Sequence, residues 1–175
     1  MLILAFVSYN ITHKEIHEKN ELIFEPIKEM TAIFMGIFIT LTPLLSLISS
    51  YAKDFNITSP GQYFWFSGIM SAFLDNAPTY LTFFTTAIWT MGYDINNKAA
   101  IIEFLNQHGL FVISISIASV FFGAVSYIGN APNYMVKLVA ESQGVKVSGF
   151  FGYIFKYSIP ILVPIFLLIW FLFIK

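Results

Sequence analysis

Two short phrases carry the polar chemistry of an otherwise apolar chain. Residues 75–78 read Asp-Asn-Ala-Pro, and residues 129–132 read Gly-Asn-Ala-Pro. Each sits inside a long apolar stretch. An Asn amide is costly in hydrocarbon unless it is hydrogen-bonded. A following Pro removes a helical donor and breaks the helix, which frees carbonyls and exposes half-helix ends. Such ends supply partial charges, and freed carbonyls can coordinate a cation. Two interrupted apolar segments are therefore a sequence pointer to a transport site. Asp75 is the one acidic residue deep in an apolar segment. It reads as a cation or proton carboxylate; the plainer reading is an N-cap for the helix that follows. The candidate ion- or substrate-binding set is Asp75, Asn76, Ala77, Pro78 and Thr79 with Gly129, Asn130, Ala131, Pro132 and Asn133. Ser71, Thr82 and Ser126 can add oxygen ligands. Asp75, Asn76 and Asn130 are the candidate sodium ligands.

These phrases need elements that can hold them. The chain has 175 residues, 57% apolar and 11% charged. Soluble domains carry roughly 25% charged residues, so the composition predicts an all-α integral membrane protein. Its aromatic content, 20 Phe, 9 Tyr and 3 Trp, suits lipid and headgroup contact. The absence of Cys excludes disulfides, thiolate catalysis and Cys-based metal sites. A net charge of -1 argues against a nucleic-acid partner. The sequence contains no nucleotide-binding loop, Ser-His-Asp arrangement or H-E-x-x-H motif to support an enzyme.

The apolar pattern predicts one polytopic membrane domain over 1–175. Residues 1–11 read as the end of a helix and 12–28 as a polar cytoplasmic loop. A membrane span is expected over 29–51, and a helical hairpin over 61–90 with Asp75–Pro78 at its tip. Each hairpin arm is only about 18–21 Å long if helical, short of the ~30 Å hydrocarbon core. Segment 98–108 reads as an interfacial helix, with Ala99, Ile102 and Leu105 recurring on one side. A broken span follows over 109–140, and a last span over 149–173. If the hairpin turns back, Lys14, Lys19, Lys28, Lys137, Lys146 and Lys156 share one side, opposite Lys53, Lys98 and Lys175. That asymmetry fits the positive-inside rule; a crossing would leave the sides balanced. The pattern predicts a re-entrant hairpin and a multi-pass protein of the inner (plasma) membrane.

The phrases GIFITLTPLLSLI (36–48), FLDNAPTYLTFF (73–84) and YIGNAPNYMVKLVAE (127–141) resemble the sodium/proton antiporter and citrate-transporter branch of the ion transporter superfamily. So does KEIHEKNELIFEPIKEMTAIFMGIF (14–38). The resemblance implies half of an inverted-repeat secondary transporter, the C-terminal one, with a re-entrant hairpin and a broken helix meeting at a central site. It implies a missing N-terminal half, the lipid bilayer and a homodimeric partner as associations, and no cofactor beyond sodium ions and protons. Related dicarboxylate carriers have Ser-Asn-Thr at their hairpin tips. The carboxylate of Asp75 departs from that pattern, so sodium/proton antiport is the expected activity. Coupled uptake of citrate or a dicarboxylate is the alternative, with efflux of arsenite or another oxyanion as a further one. No Arg or Lys adjoins either phrase to favour an organic anion.

Overall fold

A computed structural model describes residues 2–19 and 57–175 continuously, and between them the positions 28, 31–32, 35–36, 38–41, 43 and 46–47. The span expected over 29–51 and the polar segment beyond residue 19 lie largely outside the described residues. Among the described residues all regular structure is helical. The chain divides into two compact units, Met1–Ile33 and Phe34–Lys175.

In the first unit, α1 (Leu2–Ile11) is followed by α2 (Lys14–Lys19). The start of the expected polar loop is thus helical. Near the end of α1 the Asn10 amide donates to the Phe6 carbonyl at 2.7 Å, and Thr12 Oγ1 donates to the Ser8 carbonyl at 2.7 Å.

The second unit holds the rest. Helix α3 (Pro60–Ser71) begins at a reciprocal cap. Ser59 Oγ accepts from the Gln62 amide at 3.3 Å, and Gln62 Oε1 accepts from the Ser59 amide at 3.0 Å. Pro60 takes the first helical position, where its missing N–H costs nothing. The chain turns at Ala72–Asp75 and returns as α4 (Asn76–Thr90). Tyr63 Oη lies 3.4 Å from Thr90 Oγ1 while Ser71 meets Asn76, so the two helices form an antiparallel hairpin. Helix α4 ends before Gly92, whose φ of +83° is readily adopted only by glycine.

Helix α5 (Lys98–Gln107) starts at Asn97, whose Oδ1 accepts from the Ala99 and Ala100 amides at 3.0 and 3.4 Å. It meets the next helical rod, Gly109–Val125, at 88°. That rod is α6 (Gly109–Phe121) with a 3₁₀ turn at Phe122–Val125. Helix α6 runs parallel to α3: the Tyr63 ring packs on Phe111 near their starts, and Ser71 meets Ser119 near their ends. After an irregular stretch at 126–130 comes α7 (Ala131–Ser142). Helix α7 includes Lys137, within the broken span expected over 109–140, and Glu141, one residue past its expected end. They form an i,i+4 ion pair at 3.1 Å, which favours continued helix.

The last helix, α8 (Phe150–Ile174), is long and apolar enough to cross a membrane, and most of its apolar side chains are exposed. A π-turn at Ile154–Ser158 precedes Pro160. A proline removes a donor and crowds the carbonyl four residues earlier, which is one cause of such widening.

Two apolar clusters hold the unit together. One joins Tyr63, Ala87, Ile88, Phe104, Phe111 and Ile115; the other joins Phe64, Ala118, Phe122, Phe166 and Ile174. Between α3 and α6 run the buried small residues Ser67, Ser71, Ser114 and Ser119. Small residues let helix backbones approach closely. Ser67 Oγ donates to the Tyr63 carbonyl at 2.6 Å and Ser114 Oγ to the Leu110 carbonyl at 2.7 Å, so both hydroxyls are buried with a partner.

Candidate functional site

The end of α3, the start of α4 and the irregular stretch after α6 converge. They bring the two Asn-Ala-Pro phrases together. The Asn76 side-chain amide faces the carbonyl oxygens of Ser119 and Gly129, and its nitrogen donates to them at 2.9 and 3.1 Å. Ser71 Oγ donates to the same Ser119 carbonyl at 2.5 Å. Ser126 Oγ donates to the Ala72 carbonyl at 2.5 Å and accepts from the Ile128 and Gly129 amides at 3.1 Å each. Three side chains thus stitch the hairpin tip to the helix break through main-chain groups, and two of them, Ser71 and Asn76, also meet each other.

The stitching requires two glycines. A Cβ on Gly129 would strike the Ser71 carbonyl oxygen and come within 2.9 Å of Ala72 C and O. A Cβ on Gly123 would strike the Asn76 amide and lie 2.8 Å from the Gly129 carbonyl oxygen. Contacts that short do not occur between real side chains and backbone, so tip and break can touch only while both positions lack a Cβ.

The two phrases begin their helices differently. Asp75 is the N-cap of α4, and its carboxylate accepts from the Asn76 amide at 2.8 Å. Thr79 is buried, and its hydroxyl donates back to the Asp75 carbonyl at 3.0 Å. Pro78 is also buried, while Ala77 is exposed. At the break, Asn130 takes the N-cap position of α7, but its side chain makes no cap bond. The Asn130 carbonyl accepts from the Asn133 amide at 3.0 Å. Asn130 and Asn133 are half-buried and Pro132 is exposed. The first turn of α7 therefore has no side-chain cap; Pro132 has no N–H and the Asn133 amide is taken by the Asn130 carbonyl, which leaves the Ala131 amide at the positive end of the helix dipole.

Of the residues singled out from sequence, Ser71, Asn76, Ser126 and Gly129 meet directly. Asp75 and Thr79 flank them on α4. Thr82 lies further along α4, where its carbonyl accepts from Thr86 Oγ1 at 2.8 Å, and it does not join the junction. The carbonyls of Ala72, Ser119 and Gly129 at the junction are engaged by side-chain donors. Ser119 and Gly123 escaped the sequence reading. They sit one helical turn apart in a run without charge, and only the position of the hairpin tip gives their small size a purpose. Ser119 Oγ is buried and has no hydrogen-bond partner. Among the described residues no three His, Cys, Asp or Glu side chains gather as a metal centre.

The family model described as "Putative citrate transport" matches residues 1–174. The chain belongs to this family. Its members are described by transport and not by catalysis, and the chain is a transport protein, not an enzyme. No curated protein and no solved structure matches the chain.

Proposed function

We propose that this chain forms half of a secondary active transporter for citrate-type organic anions, with the hairpin tip and the helix break as its half of the substrate site. The observation that carries this is the Asn76 bridge to Gly129, which sets the first turn of α7 beside the tip. A half-helix N-terminus without a side-chain cap suits a carboxylate, as in carriers whose broken helices aim their positive ends at anionic substrates. Asp75, by contrast, is occupied as the cap of α4. The family description supports an organic anion over bare cation exchange.

The membrane placement belongs to the same proposal. Helices α3 and α4 form a re-entrant hairpin, and α6 with α7 forms a broken span. Helix α5 lies along the interface, with Ile102 and Leu105 exposed on the side away from its buried Phe104. Helix α8 crosses fully, as its length of about 38 Å permits. The host is the inner membrane. Coupling is to sodium or protons, with Asp75, Asn76 and Asn130 as the cation-side groups.

A second reading, sodium/proton antiport, is favoured by one observation: Asp75 is a half-buried carboxylate at the tip. One experiment separates the two. The complete gene product is reconstituted in vesicles, and labelled citrate uptake is measured under imposed sodium and proton gradients. Gradient-driven citrate uptake is expected. Asp75→Asn retains a cap acceptor, so it should preserve citrate binding while altering the ion dependence. Sodium-driven proton movement without any citrate or dicarboxylate flux would overturn the anion reading in favour of antiport.

A further inference from the structure

The sequence places no Lys or Arg beside either Asn-Ala-Pro phrase, yet the structure folds one back toward the break. Lys137 lies well into α7, but its Nζ sits 5.2 Å from the centre of the Tyr127 ring. Tyr127 belongs to the irregular stretch itself and is buried. Helical side chains lean toward the N-terminus of their helix, which carries the Lys137 ammonium from its own turn toward the first turn of α7. The positions 130, 133 and 137 recur at the spacing of one helical face. Lys137 therefore shares a face with Asn130 and Asn133.

The ring under Lys137 is held firmly. Tyr127 Oη donates to the Ser148 carbonyl, and the Tyr127 ring lies 4.6 Å from that of Tyr153. Tyr153 Oη in turn donates to the Ala124 carbonyl at 3.2 Å. Among the described residues the ammonium pairs with Glu141, at 3.1 and 3.2 Å from its two carboxylate oxygens. The two groups are unequally covered: the Lys137 side chain is 20% exposed and that of Glu141 40%. A cation held over a buried ring with a more exposed carboxylate on its outer side can exchange that partner for another carboxylate.

We infer that Lys137 is the residue that receives a carboxylate of the transported anion, with Glu141 holding its place when the site is empty. The inference rests on the organic-anion reading and deepens it. In the loaded state the substrate carboxylate takes the Lys137 ammonium, while the Ala131 main-chain amide and the side-chain amide of Asn130 serve its other oxygens. The cation–π contact keeps Lys137 aimed at the break during the exchange.

The test uses the complete gene product in vesicles, with labelled citrate and a labelled monocarboxylate as probes. Lys137→Gln should raise the KM for citrate by about tenfold or more, the size expected from losing one charged hydrogen bond, with little change in kcat. Lys137→Arg should recover most of the affinity. Glu141→Gln, which removes the competing carboxylate, should lower the KM for citrate. A KM for citrate unchanged by Lys137→Gln, in a wild-type protein that carries citrate, would overturn the inference and leave the carrier reading intact. A loss that falls on kcat alone, for citrate and the monocarboxylate alike, would mark Lys137 as a structural strut and overturn it too. If Lys137→Gln does not insert, Lys137→Arg and Glu141→Gln decide: the inference falls if neither shifts the KM for citrate. A wild-type protein inert toward all organic anions would overturn the carrier reading itself, and the inference with it.

Discussion

The hairpin tip and the helix break carry the same three residues, Asn-Ala-Pro, yet they use them in opposite ways. At the tip, Asp75 precedes the phrase and takes the cap of α4. That leaves Asn76 as the first helical residue, with its side chain free to reach across to Ser119 and Gly129. At the break, Gly129 precedes the phrase and has no side chain to offer. The cap position therefore falls to Asn130, one residue later in the phrase, and its side chain makes no cap bond. The preceding residue sets the register, and the register sets the role. One Asn holds the junction together, and the other remains available at the mouth of an uncapped helix. Inverted-repeat carriers need both functions, a rigid joint and an open dipole end. Here a single substitution within a tetrapeptide divides them.

The difference can be broken most severely at Gly129. Gly129→Ala forces a Cβ into the Ser71 carbonyl and the Ala72 backbone. It should cost about 1–3 kcal/mol of stability as overpacking does, and it should abolish transport by prying tip from break. Gly149→Ala, where nothing lies within 4 Å, is the control and should do neither. Melting temperature in detergent together with vesicle uptake reads both outcomes.

The two asparagines sharpen the comparison with smaller effects. Asn76→Ala removes the donor from the Gly129 carbonyl, whereas the Ser119 carbonyl keeps its bond from Ser71. An unsatisfied buried acceptor costs about 1–3 kcal/mol, so Asn76→Ala should lower the melting temperature clearly. Asn130→Ala loses no cap bond and should change stability by only about 0.5 kcal/mol or less. Its effect should appear instead as a raised KM for the anion. The opposite pattern, with Asn130 structural and Asn76 affecting only KM, would reverse the assignment.

Much of this was legible in the sequence, for identifiable reasons. Asp75 followed by Asn-Ala-Pro announces a turn and a new helix. The Gly129-to-Pro132 break interrupts an apolar run at a visible place. Other features depend on packing between distant segments. Ser119 and Gly123 gain meaning only when the tip lies against them. Lys137 lies inside the expected broken span, but sequence distance hides that its side chain leans back over Tyr127. The extension of α7 through Ser142 was hidden by the same charges, which stabilise the helix through the Lys137–Glu141 pair.

The central claim is that tip and break are two walls of one anion site. The chain contains no Cys, and Ala77 and Pro132 are exposed beside the two phrases. A single Cys is placed at either position in the complete gene product, and its reaction with a small maleimide is timed with and without saturating citrate. A bound ligand covers most of its own surface with the walls of its site. Citrate should therefore slow labelling at both Ala77→Cys and Pro132→Cys and leave a Cys at Gly149 unaffected. Labelling rates that citrate leaves unchanged at both walls, or slows at only one of them, would contradict the shared site.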